Sequence, residues 1–403
     1  MGVERVVESQ LIKMVPDQLQ EGMYIARLDR SWLESPFIFQ GFPLTTQDEL
    51  RKLKALCAYV YVDMRRSKFL KKEVSKETLE DIQQVRYEDT VSVENEIPHA
   101  FQSYTELGTE LDKIFRRARI FGEANVRALK PFLKACAESV TRNANAMIWL
   151  SHMREHDSLT AAHAVRVAAL SMVIGRHLGL PRQQLETLGL CGLLHDVGKT
   201  KIDPALLHKE EPLEDDDMQE IRQHTSYGRD RLLHDPLLPQ VVIETAFSHH
   251  ERIDGTGYPL GIPAETLSYQ TRLVSIADAY DSITQDKGKS SVEALKIIYK
   301  ERGTQFDHAL VVKFIEALGL YPPGSLVELN TGEVGIVLTN DPAARLQPKI
   351  ALVLDKDKQP MQQYIVNLKT IRRDKYDLKI KQTLKNGSFG ITLEEFTRHN
   401  VHF

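Results

Sequence analysis

Histidine and aspartate recur in this chain in arrangements that suit a shared metal centre. Among its fourteen histidines, His195 is followed directly by Asp196, and His249 and His250 open the segment HHERIDGTGYP, residues 249–259. A structural core does not need this mixture of imidazoles, charges, glycines and a proline. Neutral imidazole nitrogen and carboxylate oxygen are ligands for first-row divalent ions, and a set without sulfur favours iron, manganese, zinc or nickel.

The hydrophobic periodicity indicates which elements carry these side chains. Within residues 160–180, His163 lies on the same helix face as the apolar residues, so we expect it to point into a helical bundle. Residues 185–199 show a similar pattern, and we expect one helix to carry His195 and to place Lys199 one turn further on. Glycines within that segment would permit close approach of a neighbouring helix.

The number of candidate ligands suggests more than one ion. Asp278 and Asp281 lie three residues apart in a segment of helical period, on nearly the same face. Five histidines with two aspartates exceed what a single ion needs. The surplus favours two metal ions roughly 3.5–4 Å apart, bridged by a carboxylate. The five histidines are His163, His195, His224, His249 and His250.

Each of these features alone has a plainer interpretation. A lone buried histidine such as His163 is usually a hydrogen-bonded core residue. An isolated His-Asp dipeptide is close to random, and His249 with His250 could form an exposed helix end with a glycine-rich cap. The recurrence of all of them within one helical region favours the metal site.

Composition bounds the class of protein. The chain has 403 residues, a hydrophobic fraction of 42% and a net charge of -4. It therefore lacks the net positive charge that favours binding to a nucleic-acid polymer or an anionic membrane. Three separated cysteines, Cys57, Cys136 and Cys191, encode neither a disulfide framework nor a zinc ribbon. No signal peptide or membrane span is evident. We therefore expect a cytoplasmic protein with no membrane insertion.

Four segments resemble, in order along the chain, the signature blocks of the HD-GYP family, a branch of the HD phosphohydrolases. They are HDVGK at 195–199, RQHTSYG around His224, HHERIDGTGYP at 249–259 and SIADAYDSIT at 275–284. The tripeptide Gly257-Tyr258-Pro259 marks the branch. The N-terminal ninety residues resemble, more weakly, a small domain of unknown function that often precedes HD-GYP domains.

The resemblance implies a mainly α fold, in which a helical bundle holds two divalent metal ions and hydrolyses cyclic di-GMP to linear pGpG, GMP or both. Iron or manganese is the first expectation, with nickel or zinc as alternatives. Lys199 would contact the substrate phosphate or help to protonate the leaving oxygen. Asp196 would be catalytic as well as a ligand, and Arg252, Tyr258 and Lys287 would bind substrate. The implied metal ligands are His163, His195, Asp196, His224, His249, His250 and Asp278.

The expected organisation has a small domain at each end of the helical domain. Residues 1–95 read as a small mixed α/β regulatory domain with a charged linker, and 96–145 as connecting helices. Residues 146–322 would form the phosphodiesterase domain. Short β-type runs separated by turn signals indicate a β-rich appendix over 323–382, followed by a tail at 383–403 that carries little signal.

Two departures from the family pattern affect the expected function. Some members have a further carboxylate one turn before the first histidine and hold three metals, whereas this chain has Leu159 there, so we expect two. Members commonly show an Arg-Pro-Tyr-Arg run that grips phosphate, whereas this chain reads Lys287-Gly288-Lys289-Ser290. Lysine supplies charge without bidentate geometry, so binding could be weaker, or the loop could simply be solvated.

Three functions therefore stay open at the level of sequence. The first is the cyclic di-GMP phosphodiesterase. The second is a slow or inactive cyclic di-GMP sensor that signals through its accessory domains, and the third is a phosphohydrolase for another nucleotide. A homodimer or a signalling protein would be the further partner.

Overall fold

The fold is mainly α, with a small sheet at each end of a helical region, as the sequence predicts. The computed structural model describes residues 11–19, 22–30, 35, 37, 41–44, 46–63, 84–122, 125–153, 159–209, 211–233, 235, 237–285, 288–340, 344, 346–371 and 378–400.

The N-terminal region is an antiparallel sheet with one helix beside it. Helix α1 (Gln47–Leu56) begins with a capping box, in which the Thr46 hydroxyl accepts from the Glu49 N–H and the Glu49 carboxylate accepts from the Thr46 N–H. In spatial order, the strands are β1 (Leu11–Met14), β4 (Val60–Asp63), β2 (Tyr24–Leu28) and β3 (Phe42–Pro43).

Twelve α-helices follow within the described residues, and their apolar faces share one core. Trp149, Phe314 and Tyr280 are the largest of its fully enclosed side chains. The helices are α2 (Val93–Phe121), α3 (Lys130–Arg142), α4 (Ala144–Ser151), α5 (Leu159–His177), α6 (Arg182–Leu194), α7 (Pro204–Leu207), α8 (Asp215–Arg222), α9 (His224–Leu232), α10 (Gln240–Ser248), α11 (Tyr269–Gln285), α12 (Ser291–Lys300) and α13 (His308–Leu318).

The predicted single helix over residues 185–199 is wrong at its C-terminal end. Helix α6 stops at Leu194, and a 3₁₀ helix over Val197–Lys201 follows, with the Lys199 N–H donating to the Asp196 carbonyl at 2.9 Å. Lys199 therefore lies on a tighter turn than the α-helix that carries the preceding leucines. Apolar periodicity cannot separate these two geometries over so few residues.

Glycine permits the close approach of elements around this turn. A Cβ on Gly192 would lie 2.7 Å from the Ala168 Cα of α5, and one on Gly198 would lie 1.8 Å from the His224 carbonyl oxygen. No side chain fits at such distances. The 3₁₀ helix consequently packs with its backbone directly against the start of α9, which brings the His195–Asp196 pair beside His224.

The C-terminal region is a five-stranded antiparallel sheet. Its strands, in spatial order, are β8 (Pro360–Asn367), β7 (Lys349–Leu354), β6 (Val334–Thr339), β5 (Leu326–Leu329) and β9 (Ile380–Leu384). One face continues the helical core through residues such as Ile336 and Ala351, whereas Val337 and Ile350 belong to a separate cluster.

The last helix, α14 (Leu393–Asn400), lies in the segment that carries little sequence signal. Its Phe396 ring lies 5.9 Å from the Trp149 ring, and the Trp149 Nε1–H donates to the Thr397 hydroxyl at 2.9 Å. The C-terminal segment therefore covers the largest side chain of the helical core. The division of the chain into five segments stays a prediction.

No helix among the described residues is long and apolar enough to cross a membrane.

Cys57, Cys136 and Cys191 are buried free thiols, and burial raises the pKa of the Cys191 thiol to about 12.

Substituting Gly198→Ala should destabilise the protein by ~3 kcal/mol or more, because the new methyl group would overlap the His224 carbonyl and force α9 away. Thermal unfolding followed by circular dichroism measures the change. Gly108→Ala in α2 is the control. Its new Cβ would lie 3.9 Å from Cγ2 of Val165, an ordinary contact distance, and the substitution should stabilise the protein by ~0.5–1 kcal/mol. Equal unfolding temperatures for Gly198→Ala and the parent would contradict the close packing.

Candidate metal centre

Five helical segments bring all seven predicted ligand residues together. His163 projects from α5, the His195–Asp196 pair follows α6, and His224 opens α9. His249 and His250 follow α10, and Asp278 lies in α11. Their ligand atoms form two groups, each with all atoms within 4.8 Å of one another. The groups are Asp196, His224, His249 and His250, and His163, His195 and Asp278.

Asp196 belongs to the first group but presents one carboxylate oxygen to the imidazoles of each group. Its Oδ1 is 3.4 Å from Nε2 of His224 and 3.7 Å from Nε2 of His249. Its Oδ2 is 3.3 Å from Nε2 of His195 and 3.6 Å from Nε2 of His163. A single buried carboxylate therefore faces both halves of the cluster.

Backbone carbonyls orient three of the imidazoles. Nδ1 of His195 donates to the Gly192 carbonyl at 2.7 Å, and Nδ1 of His224 donates to the Ile221 carbonyl at 2.7 Å. Nδ1 of His249 donates to the Thr245 carbonyl at 3.1 Å. A carbonyl only accepts, so in the neutral rings the proton is on Nδ1 and the Nε2 lone pair faces the cluster.

The donor set fits a cation. His195 Nε2 and Asp196 Oδ1 are buried and lack a hydrogen-bond partner among the described residues. Nε2 of His224 and Nε2 of His249 are only 3.3 Å apart, although both Nδ1 protons are held by carbonyls. Facing lone pairs at this distance repel each other unless a positive charge lies near them. The residues therefore fit metal coordination better than a hydrogen-bonded core.

Burial keeps the imidazoles of His224, His249 and His250 neutral. It lowers the pKa of His224 to about 3, and it also lowers the pKa values of His249 and His250. Burial raises the pKa of Asp196, but the Lys199 ammonium beside the carboxylate outweighs this effect, so the pKa lies well below its usual range. Neutral imidazoles and an ionised carboxylate are the protonation states that bind metals.

His163 differs from the other histidines because carboxylates contact both of its nitrogens. Its Nε2 is 3.2 Å from Asp278 Oδ1, and its Nδ1 is 2.7 Å from Asp281 Oδ2. Arg166 donates to both oxygens of Asp281, at 2.7 and 3.0 Å. Burial lowers the pKa of His163, but the two carboxylates raise it to about 10.

Asp281 and Arg166 hold His163 in place, and the motifs in the sequence assign a role to neither of them. The three-residue spacing in the sequence places Asp281 on the same face of α11 as Asp278. It does not show the contact of Asp281 with His163, which joins α11 to α5. Arg166 follows His163 by three residues, which is one helical turn, and this was the available signal for it. Such outer partners fix the tautomer and orientation of a ligand histidine.

Lys199 lies at the edge of the centre. Its ammonium is 2.5 Å from Asp196 Oδ2, and its side chain is 28% exposed, whereas that of Asp196 is 1% exposed. The 3₁₀ turn thus places a cation on the Asp196 carboxylate with access to the solvent side. The contact of Lys199 with an anionic substrate stays a prediction.

The loop over residues 251–262, which we call the GYP loop, folds against the histidines. The Tyr258 ring stacks on the His250 ring, with centroids 4.7 Å apart and planes at 26°. The Glu251 carboxylate accepts from the N–H groups of Leu260, Gly261 and Ile262 at 2.7–3.2 Å.

Glycine at position 257 is required by space, since a Cβ there would lie 2.4 Å from the Arg252 nitrogen. The Arg252 guanidinium donates to Asp254 at 3.0 Å and to Thr256 within the loop. The structure therefore pairs this predicted substrate contact with the loop's own side chains.

The altered basic run begins a helix. Ser290 caps α12, with its hydroxyl accepting from the Glu293 N–H and the Glu293 carboxylate accepting from the Ser290 N–H. Lys287, a predicted substrate contact, lies outside the described residues. Lys289 lines a cleft together with Lys385 from the C-terminal region and His152. The described part of this run therefore keeps one lysine and meets a second from another region.

Comparison with known proteins gives three family matches along the chain. An HD domain matches residues 150–310, a domain of unknown function (DUF3391) matches 11–129, and a KOW domain associated with HD domains matches 326–373.

Relatives match most of the chain. The cyclic di-GMP phosphodiesterase PA4108 of Pseudomonas aeruginosa is 32% identical over 370 residues, which cover 89% of each protein. The cyclic di-GMP phosphodiesterase PdeB of Borreliella burgdorferi is 27% identical over 219 residues, 52% of this chain and 57% of that one. The solved structure of Bd1817, an HDG"Y"P protein from Bdellovibrio bacteriovorus, aligns with a TM-score of 0.47 and 17% identity, covering 77% of this chain and 97% of that one.

The fold and the His/Asp cluster define an HD-type metal-dependent phosphohydrolase. The chain belongs to the HD-GYP family, and the resemblance that its motifs predicted is confirmed.

Metal binding should release a proton from His163 near neutral pH. In the ion-free protein, the carboxylates keep its imidazole protonated up to a pKa of about 10, against an ordinary value of 6.5. This raised pKa means that the protonated imidazole stabilises the folded state. The stabilisation is fully present below pH 6.5 and is lost as the pH rises through the folded-state pKa of about 10. Metal affinity should therefore increase between these values, because the ion competes with that proton.

Titration calorimetry with Mn²⁺ in two buffers of different ionisation enthalpy at pH 7.5 measures the released proton. Identical apparent enthalpies in the two buffers would contradict the protonated state of His163.

Proposed function

We propose that the chain is a phosphodiesterase that hydrolyses cyclic di-GMP through a dinuclear centre. The observation that carries the proposal is the position of Asp196, whose two oxygens face two separate groups of imidazoles. The relatives PA4108 and PdeB, both named cyclic di-GMP phosphodiesterases, support the substrate. The products are linear pGpG, GMP or both.

Two divalent ions, iron or manganese, fit this donor set, which contains nitrogen and oxygen but no sulfur. When bound, they would supply the charge that neutralises a phosphodiester and the acidity that makes water a nucleophile at neutral pH. One site would use His163, His195 and Asp278, and the other would use His224, His249 and His250. Asp196 would serve both.

The protein's own side chains have three further roles. Lys199 adds a positive charge beside Asp196, where it can contact a phosphate oxygen and donate a proton to the leaving oxygen. Tyr258 covers His250 with its ring and would form one wall of the substrate site. Arg222 reinforces this wall, since its guanidinium lies 5.1 Å from the Tyr258 ring centre.

A cyclic di-GMP sensor with slow turnover is the second candidate. The observation that favours it is Ser290, which caps a helix where the family commonly has an arginine. Lys289 and Lys385 in the adjacent cleft supply point charges without bidentate geometry. The two candidates differ in turnover number, because the sensor would retain the ligand intact.

The direct test is chromatography of cyclic di-GMP after incubation with anaerobically purified protein loaded with iron or manganese. Turnover to pGpG or GMP supports the enzyme, and the product shows how far hydrolysis proceeds. Intact substrate in the presence of fully loaded protein would contradict it and favour the sensor. A panel of other cyclic dinucleotides tests the choice of substrate.

Variants of the centre should separate metal binding from the role of Lys199. His195→Ala or Asp196→Ala should lower both metal content and hydrolysis by ~100-fold or more, since loss of a ligand should cost at least as much as loss of its outer partner. Lys199→Ala should retain metal and lose rate or affinity for substrate. Metal content is measured by mass spectrometry and hydrolysis by the same chromatography.

His208→Ala is the control, because His208 caps α7 and belongs to neither ligand group. Full activity of His195→Ala, or loss of metal from Lys199→Ala, would contradict the assigned roles.

A further inference from the structure

The GYP loop contacts the N-terminal region through one apolar side chain. The buried residues of the N-terminal sheet and helix form a cluster, which we call the N-terminal cluster, and Leu260 packs against it. Among the hydrophobic residues that the structure describes, Leu260 is the only member of this cluster from outside positions 11–63. The cluster comprises Met14, Leu19, Met23, Ile25, Leu28, Leu44, Leu53, Cys57, Val60 and Val62, with Phe37, Phe42, Leu50, Leu56 and Leu260 at its border.

Leu260 is also tied to the metal centre through the backbone of its loop. Its N–H donates to the Glu251 carboxylate at 2.7 Å, and Glu251 directly follows His250. The Tyr258 N–H donates to the His250 carbonyl at 3.3 Å, and the two rings stack. Leu260 is therefore linked by hydrogen bonds to the residue that follows His250, and the Tyr258 ring of the same loop stacks on His250.

Two aromatic rings lie at the border of the same cluster as Leu260. Phe42 of β3 stacks on Phe37 with ring centroids 4.5 Å apart and planes at 22°, and both rings pack against the N-terminal cluster. The opposite face of the same sheet carries Tyr61, which lies under Arg27 at 4.3 Å. One face of the sheet therefore packs in the N-terminal cluster, against which Leu260 also packs, and Tyr61 lies on the other face.

We propose that the N-terminal region supports the GYP loop, and that Leu260 is a positioning residue for His250 and Tyr258. The apolar contact holds residue 260 while the Glu251 carboxylate holds the three N–H groups that begin there. A change in the N-terminal region, whether by ligand or by partner, would reach the centre through this contact. The kinetic part of this inference depends on the proposed phosphodiesterase function, whereas the structural part does not.

Hydrogen–deuterium exchange of the full chain tests the structural part. Leu260→Ala and Phe42→Ala should each speed exchange in the peptide over residues 251–262 by about tenfold, which corresponds to ~1.4 kcal/mol of lost packing. The effect of Phe42→Ala is decisive, because that residue lies more than two hundred positions away in sequence. Leu260→Met and Phe42→Leu retain apolar contacts and should restore slow exchange.

Two controls separate this support from general loosening. Ile262→Ala alters a neighbouring apolar side chain of the loop that is not among the described members of the N-terminal cluster, and Tyr61→Ala alters the opposite face of the sheet. Both should leave exchange in 251–262 unchanged. If Phe42→Ala unfolds the N-terminal region, faster exchange in the α1 peptide reveals it, and the loop should still lose protection.

Unchanged exchange in 251–262 for Phe42→Ala would overturn the proposal, as would an equal effect of Tyr61→Ala. The kinetic readout is cyclic di-GMP hydrolysis, for which Leu260→Ala should lower kcat/KM by about tenfold at unchanged metal content, with recovery in Leu260→Met. Absence of hydrolysis by the parent chain would contradict the proposed function alone, because the exchange result stands without it.

Discussion

The structure around the metal centre depends on one buried anion. The Asp196 side chain is 1% exposed and lies among four imidazoles and the Lys199 ammonium. A carboxylate removed from water must be compensated by positive charge or hydrogen bonds, and here its Oδ1 has no hydrogen-bond partner among the described residues. Divalent cations bound beside this carboxylate would compensate its charge. Metal binding and the packing of the helix ends are consequently linked.

The helix ends supply geometry as well as residues. His195, His224 and His249 each donate Nδ1–H to a carbonyl three or four residues earlier, so the backbone itself sets the direction of each ring. These rings can converge because Gly192 and Gly198 allow elements to approach at backbone contact. His163 is oriented differently, by Asp281, which Arg166 fixes in turn. Orientation thus comes from local backbone for three ligands and from a side-chain network for the fourth.

The sequence predicts those features that follow from residue types and motif order. It does not predict which distant residues contact one another. Residue types and motif order identified the family, the mainly α fold and seven residues that do lie together. Periodicity could not show that α6 ends before His195, because α and 3₁₀ geometry differ little over one turn. The contact of Asp281 with His163 and the packing of Phe396 on Trp149 join positions more than a hundred residues apart, and single-sequence patterns carry no information on such pairs. The link between Leu260 and the N-terminal cluster is of the same kind.

The two oxygens of Asp196 face the imidazoles of two ligand groups, which predicts that two metal ions bind. No activity assay measures the number of bound ions directly. The corresponding measurement is a crystal structure of the Mn²⁺-loaded protein with anomalous scattering recorded at the manganese edge. The account predicts two anomalous peaks, one beside each oxygen of Asp196, at the ~3.5–4 Å separation typical of two-metal sites. A single peak at full loading, or two peaks with Asp196 bound to only one of them, would contradict it.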